Sequence, residues 1–348
     1  MGTTRRMVVL VCALLGCSDD GRQQATTNDD GIGSLTTGGS EEGIGEVGNN
    51  DPKLDVGGGG ENSGGGGEAG DERCTKVDFL FVVDSSPSMQ DEQDNLLVSF
   101  PGFITAIEDT LMIDDFHLMV IDASLIPGSG CDGVLGAGRT SSGSGQDCEL
   151  VGGNRYANEM QPDLVDVFTC MASRGAEGDA NEQTMNSTLA SIGPLTAPGE
   201  CNEGFLRDDA ILVVTIITDE EDSPNDVGTN PVPDGSCVPA DGDPNSSGDP
   251  AAWRQTIVEL KNGDPAAMVV LVLTGDCDAG GGCEGIFIDA FDPSAPITGA
   301  EPAPRMREFA SSFQYGSVGP ICADDFAPFF ADAVSVIESA CDDFVPPG

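Results

Sequence analysis

Val77-Asp78-Phe79-Leu80-Phe81-Val82-Val83 runs straight into Asp84-Ser85-Ser86-Pro87-Ser88, and this junction decides how the rest of the chain is read. A nearly unbroken apolar run of this length predicts a strand buried on both faces, as in a parallel sheet. Its tip carries oxygen at alternate positions, Asp84, Ser86 and Ser88. Side chains two apart in an extended segment point the same way and can converge on one ion. Oxygen-only ligands of this kind suit Mg²⁺, Mn²⁺ or Ca²⁺. The same serines could instead serve only to cap a following helix.

A second junction of the same kind lies far downstream, where Ile211-Leu212-Val213-Val214-Thr215-Ile216-Ile217-Thr218 enters Asp219-Glu220-Glu221-Asp222. In an open α/β sheet the ligand crevice lies outside the carboxyl ends of the strands. Two carboxylates delivered at such ends can therefore share one rim.

Asp84, Ser86, Ser88 and Asp219 together resemble the metal-ion-dependent adhesion site of the von Willebrand factor A (vWA) domain family, and the resemblance spans residues 74–341. It implies a three-layer, Rossmann-like α/β fold with a mostly parallel central sheet and helices on both faces. It also implies a divalent cation, Mg²⁺ foremost with Mn²⁺ or Ca²⁺ as alternatives, oriented by Asp84 and ligated by Ser86, Ser88 and Asp219. An open coordination position would then accept an acidic side chain from a protein partner. The departure lies in the second loop, where the family's Thr has no clean counterpart in Gly178-Asp179-Ala180-Asn181-Glu182-Gln183-Thr184. A variant branch of secreted bacterial A domains resembles this loop, with Glu-Gln opening the helix, so Glu182 is the preferred second-loop ligand and Thr184 the alternative. Three carboxylates would hold a cation more strongly and attract a partner's carboxylate less. Glu182 could equally be a first-turn acid favoured by the helix dipole.

At the amino terminus, Arg5 and Arg6 precede a short apolar run, residues 7–16, that is too short to span a bilayer and has the shape of a secretory signal. Leu14-Leu15-Gly16-Cys17 resembles the bacterial lipobox, which implies lipidation of Cys17 after removal of residues 1–16 and a membrane-anchored protein of the bacterial cell envelope, at the outer membrane or cell surface. Residues 17–73 follow as a tether of Gly, Ser, Thr, Asn, Asp and Glu, with Gly57-Gly58-Gly59-Gly60 and Gly64-Gly65-Gly66-Gly67, a composition that cannot bury a core. Random-coil scaling gives such a leash a span of ~40 Å. The formal charge is −46, and removing two arginines with the signal takes it to −48. Nucleic acid is thereby excluded as a partner, since phosphate and protein repel.

Beyond Cys12 and Cys17 the chain holds Cys74, Cys131, Cys148, Cys170, Cys201, Cys237, Cys277, Cys283, Cys322 and Cys341, an even set that predicts disulfides in an oxidising compartment. Pairing is open, although Cys74 and Cys341 bracket the domain and Cys277 and Cys283 could close a small loop. No Cys-x-x-Cys pair exists, and the single histidine, His117, falls in an expected strand, so a zinc site is not expected.

Apolar strands alternate with helical periodicity along residues 74–341. A helix with Leu96, Leu97, Phe100, Ile104, Ile107 and Leu111 on its apolar face follows the first strand, with a kink expected at Pro101-Gly102. Strands are expected at 116–123, 267–274 and 315–318, with an excursion around an edge hairpin at 127–156. Helices are expected at 162–173, 182–192, 251–262, 305–313 and through Phe326, Phe330, Val334, Ile337 and Cys341, before a tail at 342–348. An acidic loop insertion, 223–248, would lie over the metal face, and the acids at 219–222 would raise the local cation concentration.

Several motifs fail on context. Gly128-Ser129-Gly130-Cys131-Asp132-Gly133 has glycine-loop letters but opens no helix. Asp241, Asp243 and Asn245 begin like a calcium loop, yet Ser246 replaces the required Gly and Ala252 the bidentate Glu. Trp253 reads as a core anchor. With one histidine and oxidised cysteines, nucleophilic catalysis lacks its parts, so no enzyme is expected. The functional reading is a surface-anchored interaction module; a structural envelope lipoprotein with a stabilising metal, or a metal-dependent hydrolase, are the alternatives.

Overall fold

The computed structural model describes residues 75–107, 113, 115–176, 178, 181–222, 248–276 and 299–347. The signal, the tether, Cys17, Cys74, Cys237, Cys277, Cys283, Leu111 and all of the acidic loop except Gly248 lie outside the described residues. Strands β1 (Lys76–Val83), β2 (Asp115–Asp122), β3 (Ala157–Asn158), β4 (Ile211–Ile217), β5 (Met268–Thr274) and β6 (Gly316–Pro320) form one sheet in the order β3-β2-β1-β4-β5-β6. All neighbours are parallel except the β2–β3 pair.

Helices α1 (Gln90–Ala106), α2 (Leu164–Ala172), α3 (Thr184–Ile192), α4 (Pro250–Leu260), α5 (Pro304–Ser311) and α6 (Ala327–Asp343) connect the strands. Helix α1 packs on α2 and α6, while α4 packs on α3 and α5. These two groups sandwich the sheet, giving the three-layer α/β arrangement. Every residue of β4 and β5 is buried, as is β1 after Lys76, which explains the continuous apolar runs: a strand covered on both faces has no wet side to leave polar. Phe81, Phe100, Phe103, Phe168 and Phe330 interlock between β1, α1, α2 and α6 with ring centroids 4.5–6.1 Å apart. On the opposite face Trp253 is fully buried and meets Phe309 edge-on at 5.9 Å, the core anchor expected of it.

Helix α1 continues through Pro101 as expected, because buried Phe100, Phe103 and Ile104 hold the turns on either side to the sheet and outweigh one missing hydrogen bond. The differences from expectation are local. Helix α3 starts at Thr184 instead of residue 182. The β pairing of the excursion is limited to an isolated bridge, Ser141 to Asp147, and the edge partner of β2 is the two-residue β3 just beyond it. Disulfides Cys131–Cys201 and Cys148–Cys170 fasten this segment in place of a hairpin; in the chain-entropy picture each contributes about 3–4 kcal/mol. Cys322 and Cys341 each take part in a disulfide of their own as well. A pair of buried arginines, Arg139 and Arg174, closes on Asp122 at the end of β2, with Arg174 Nε donating to Asp122 Oδ1 at 2.7 Å, and ties the excursion and α2 to the sheet.

Chain direction reverses across the sheet at β1: the path from β1 moves outward to β2, and the path from β4 moves outward the other way to β5 and β6. The crevice at the carboxyl ends of β1 and β4 is therefore the topological switch point, where open α/β sheets bind their ligands.

Candidate metal centre

Asp84 follows β1 and Thr218 follows β4, and register sets them side by side. Val83 pairs with Ile217, and the Asp84 N–H donates to Ile217 O at 2.9 Å. Asp84 is fully buried; its Oδ1 accepts the Ser86 N–H at 2.7 Å, and its Oδ2 accepts the Thr218 hydroxyl at 2.7 Å. Gln93 of α1 donates to Asp84 O at 3.1 Å. The hydroxyls of Ser86 and Ser88 lie 3.0 Å apart, as the alternation of the motif predicts, and Ser88 donates to Glu220 Oε1 at 3.4 Å. Neither serine side chain caps the 3-10 turn Pro87–Met89 or α1.

Asp219 is also fully buried, and neither of its carboxylate oxygens accepts a hydrogen bond. Its pKa rises to about 9, first through burial and then through the negative charges of Asp84, Glu220 and Glu92; the nearby Ser88 hydroxyl opposes this without reaching hydrogen-bond geometry. Glu182, two residues before α3, is fully buried with both oxygens likewise unsatisfied. Burial raises its pKa well above the carboxylate range, followed by the charges of Asp84, Glu220 and Asp219. Glu182 thus belongs to the same cluster as Asp84 and Asp219 and is not a solvated first-turn acid. The Thr184 hydroxyl is buried and unsatisfied, at the start of α3.

The second loop is seated directly on the first. Gly178 N–H donates to Ser85 O at 2.7 Å, and a Cβ on Gly178 would lie 2.3 Å from Ser85 Oγ, so a side chain at this position has no room.

The acidic run at 219–222 divides among separate partners. Asp219 enters the cluster and Glu220 meets Ser88. The other two carboxylates cap helices: Glu221 Oε2 accepts the Arg305 N–H of α5 at 2.9 Å, and Asp222 Oδ1 accepts the Met185 N–H of α3 at 2.9 Å. Sequence reasoning missed Thr218 and Glu92. Thr218 immediately precedes Asp219, but only strand register sets it against Asp84. Glu92, in the first turn of α1, is buried with Oε2 unsatisfied, and its pKa rises to about 8, chiefly through burial.

Among the described residues no three His, Cys, Asp or Glu side chains form a ready-made metal group. Any ion here would draw on hydroxyl as well as carboxylate oxygen. His117, in β2 as expected, donates from Nδ1 to Phe205 O at 2.7 Å, and burial lowers its pKa. It serves the opposite rim, where buried Asp78 accepts the Arg207 guanidinium at 2.7 Å. No protein-family model matches the chain, and no curated protein matches it. Among the described residues no helix is long and apolar enough to cross a membrane.

The raised acids set a pH dependence. Groups protonated more readily in the folded than in the unfolded state stabilise at low pH and lose that contribution as pH rises through their folded pKa. Asp219 moves from 3.8 to about 9, Glu92 from 4.5 to about 8 and Glu221 from 4.5 to about 7. In chelator, the melting temperature is expected to fall between pH 5 and pH 8.5, and saturating Mn²⁺ to flatten the slope. A chelated protein equally stable at both ends would contradict unpaired buried carboxylates.

Proposed function

We propose that the rim of Asp84, Ser86, Ser88, Asp219 and Glu182 holds a divalent cation, Mg²⁺ with Mn²⁺ or Ca²⁺ as substitutes, in a vWA-like interaction module. The observation that carries this reading is the set of four buried carboxylate oxygens on Glu182 and Asp219 that accept no hydrogen bond, beside a third buried carboxylate, Asp84. Desolvated acids that repel one another are costly unless they are paired or coordinate a metal. The donor set, all oxygen, is the chemistry of hard cations. When bound, the ion would supply positive charge at the switch point; Asp84 would orient it, the serine hydroxyls would ligate it, and Asp219 and Glu182 would neutralise it.

In this reading residues 1–16 direct export, Cys17 carries the lipid anchor in the bacterial envelope, and residues 17–73 hold the domain off the surface, where a protein partner engages the metal rim. The partner's acidic side chain, which the family resemblance implies, would be attracted less here than at a site with two carboxylates. Burial of every proposed ligand favours a second reading, in which the ion stabilises the rim of a structural envelope protein.

Calorimetric titration of the full chain with Mn²⁺ tests the site; absence of binding sinks both readings. Partner capture lost in chelator supports the interaction module, and capture indifferent to chelator leaves the stabilising ion. Cys17→Ala is expected to move the protein from the membrane fraction to the soluble one. Continued membrane association would remove the lipid anchor from the proposal.

A further inference from the structure

We infer that Asp222 is a positioning residue for the metal centre: it ties the segment carrying Glu182 to the turn that carries Asp219 by capping helix α3 from that turn. The inference rests on the metal reading above and adds a residue to it.

Helix α3 has no side-chain cap of its own. Its N-cap residue is Gln183, whose side chain makes no capping hydrogen bond, and Gln is a poor substitute for Ser, Thr, Asp or Asn at that position. The cap comes from 37 residues downstream, where the fully buried Asp222 accepts the Met185 N–H at 2.9 Å. A carboxylate against the amino end of a helix is favoured by both the free N–H groups and the helix dipole. Met185 is three residues beyond Glu182, and Asp222 is three beyond Asp219, so this one hydrogen bond joins the segments that carry two of the three clustered carboxylates.

The other contacts make the joint rigid on the Asp222 side. Asp222 N–H donates to Glu221 Oε1 at 3.0 Å, Arg305 Nη1 donates to Asp222 O at 3.1 Å, and Glu301 N–H donates to Asp219 O at 2.8 Å. The turn from Asp219 to Asp222 is thereby pinned to α5 and the segment before it. On the other side, the Glu182 segment is tied to the end of β2, with Gln183 N–H donating to Ala123 O at 3.2 Å and Ser187 Oγ to Asp122 O at 2.5 Å. Those bonds fix the loop to β2 but not to β4. Asp222 supplies a link from the loop to the strand that delivers Asp219, and with it the spacing between Glu182 and Asp219. Mutual repulsion of these acids would otherwise open that spacing, so the cap works against the charge that the cation neutralises.

Mn²⁺ titration of the full chain, as wild type, Asp222→Ala, Asp222→Asn, Glu182→Gln and the double variant Asp222→Ala/Glu182→Gln, tests this. Asp222→Ala is expected to weaken Mn²⁺ about 10- to 100-fold, the usual range for an outer-shell partner. Asp222→Asn, whose carbonyl still accepts the Met185 N–H, is expected to restore most of the affinity. In the Glu182→Gln background the alanine change should produce little further loss, because residues acting through one another are not additive. Equal losses in both backgrounds would overturn the inference and leave Asp222 a general structural cap. If Glu182→Gln alone leaves Mn²⁺ affinity unchanged, Glu182 is not a ligand and the inference falls while a site built on Asp84 and Asp219 stands. If wild type binds no Mn²⁺, the metal reading itself fails.

Discussion

Asp219→Asn is expected to raise the stability of the chelated protein while greatly weakening Mn²⁺ binding. The substitution keeps the side chain's volume and removes a fully buried carboxyl that accepts no hydrogen bond and must take up a proton on folding at pH 8, because burial and its acidic neighbours push its pKa up to about 9. The new amide can donate to those neighbours. One unit of pKa displacement corresponds to ~1.4 kcal/mol, and ~1 kcal/mol moves the melting point of a domain this size by about 2–4 °C. At pH 8 a rise of at least about 3 °C is therefore expected in chelator. The metal affinity should fall by more than the ~100-fold upper range for an outer-shell partner. Asp84→Ala gives the contrast: it removes binding, strands the Ser86 N–H at about 1–3 kcal/mol, and leaves the Thr218 hydroxyl only its longer bond to Glu220 O at 3.3 Å. Calorimetric melts with and without Mn²⁺ distinguish the two. An Asp219→Asn protein that melts below wild type in chelator would mean that the carboxylate is satisfied, and the argument for an ion would lose its basis.

Arg305→Ala is expected to be the most destabilising single change near the site, by about 3–6 kcal/mol, from the loss of two hydrogen bonds from a charged group at ~1.5–3 kcal/mol each. Arg305 is buried in the first turn of α5. Its guanidinium donates to Asp222 O at 3.1 Å and to Gly248 O at 2.7 Å and lies 4.6 Å over the Trp253 ring, beside the buried Glu221 carboxyl. Glu221 is raised to about 7 by burial even with Arg305 acting to lower it, so loss of the cation leaves that carboxyl with less to offset its desolvation. Arg305→Lys should recover only part of the loss, since a point charge cannot reproduce two separated donations and a planar stack. Denaturant unfolding of the three proteins measures both steps. A loss below ~1 kcal/mol for the alanine variant would show that the clasp between α4, α5 and the turn is redundant.

The architecture was legible wherever burial is one-dimensional. β1, β4 and β5 are apolar along their whole length because both faces are covered, and β1 and β4 end in the acids that mark the rim. Helix α4 announced itself through Asp249, whose side chain accepts the Ala252 N–H at 2.8 Å, and through Pro250 after it. The edge hairpin did not form as expected, because the excursion is held by disulfides and by Arg139 and Arg174 on Asp122, which leave no period-2 signature. Of the site, Asp84, Ser86, Ser88 and Asp219 could be named from two local motifs. Glu182 required the family resemblance, and Thr218, Glu92 and Asp222 were not legible, because their roles depend on partners 37 to 134 residues away.

Sequence by itself determined that two apolar strands carry oxygen-bearing side chains at their carboxyl ends, that the cysteines suit an oxidising compartment, and that the chain carries −46 of formal charge. These follow from hydrophobic period, local spacing and composition, which are properties of neighbours along the chain. Tertiary structure alone decided that Val83 pairs with Ile217, that the acidic run divides into one cluster member, one serine partner and two helix caps, and that Glu182 joins the rim while Asp78 serves the opposite one. The physical reason is that register and side-chain direction are set by packing between elements distant in sequence, and a single-residue slip would reverse which face each carboxylate meets.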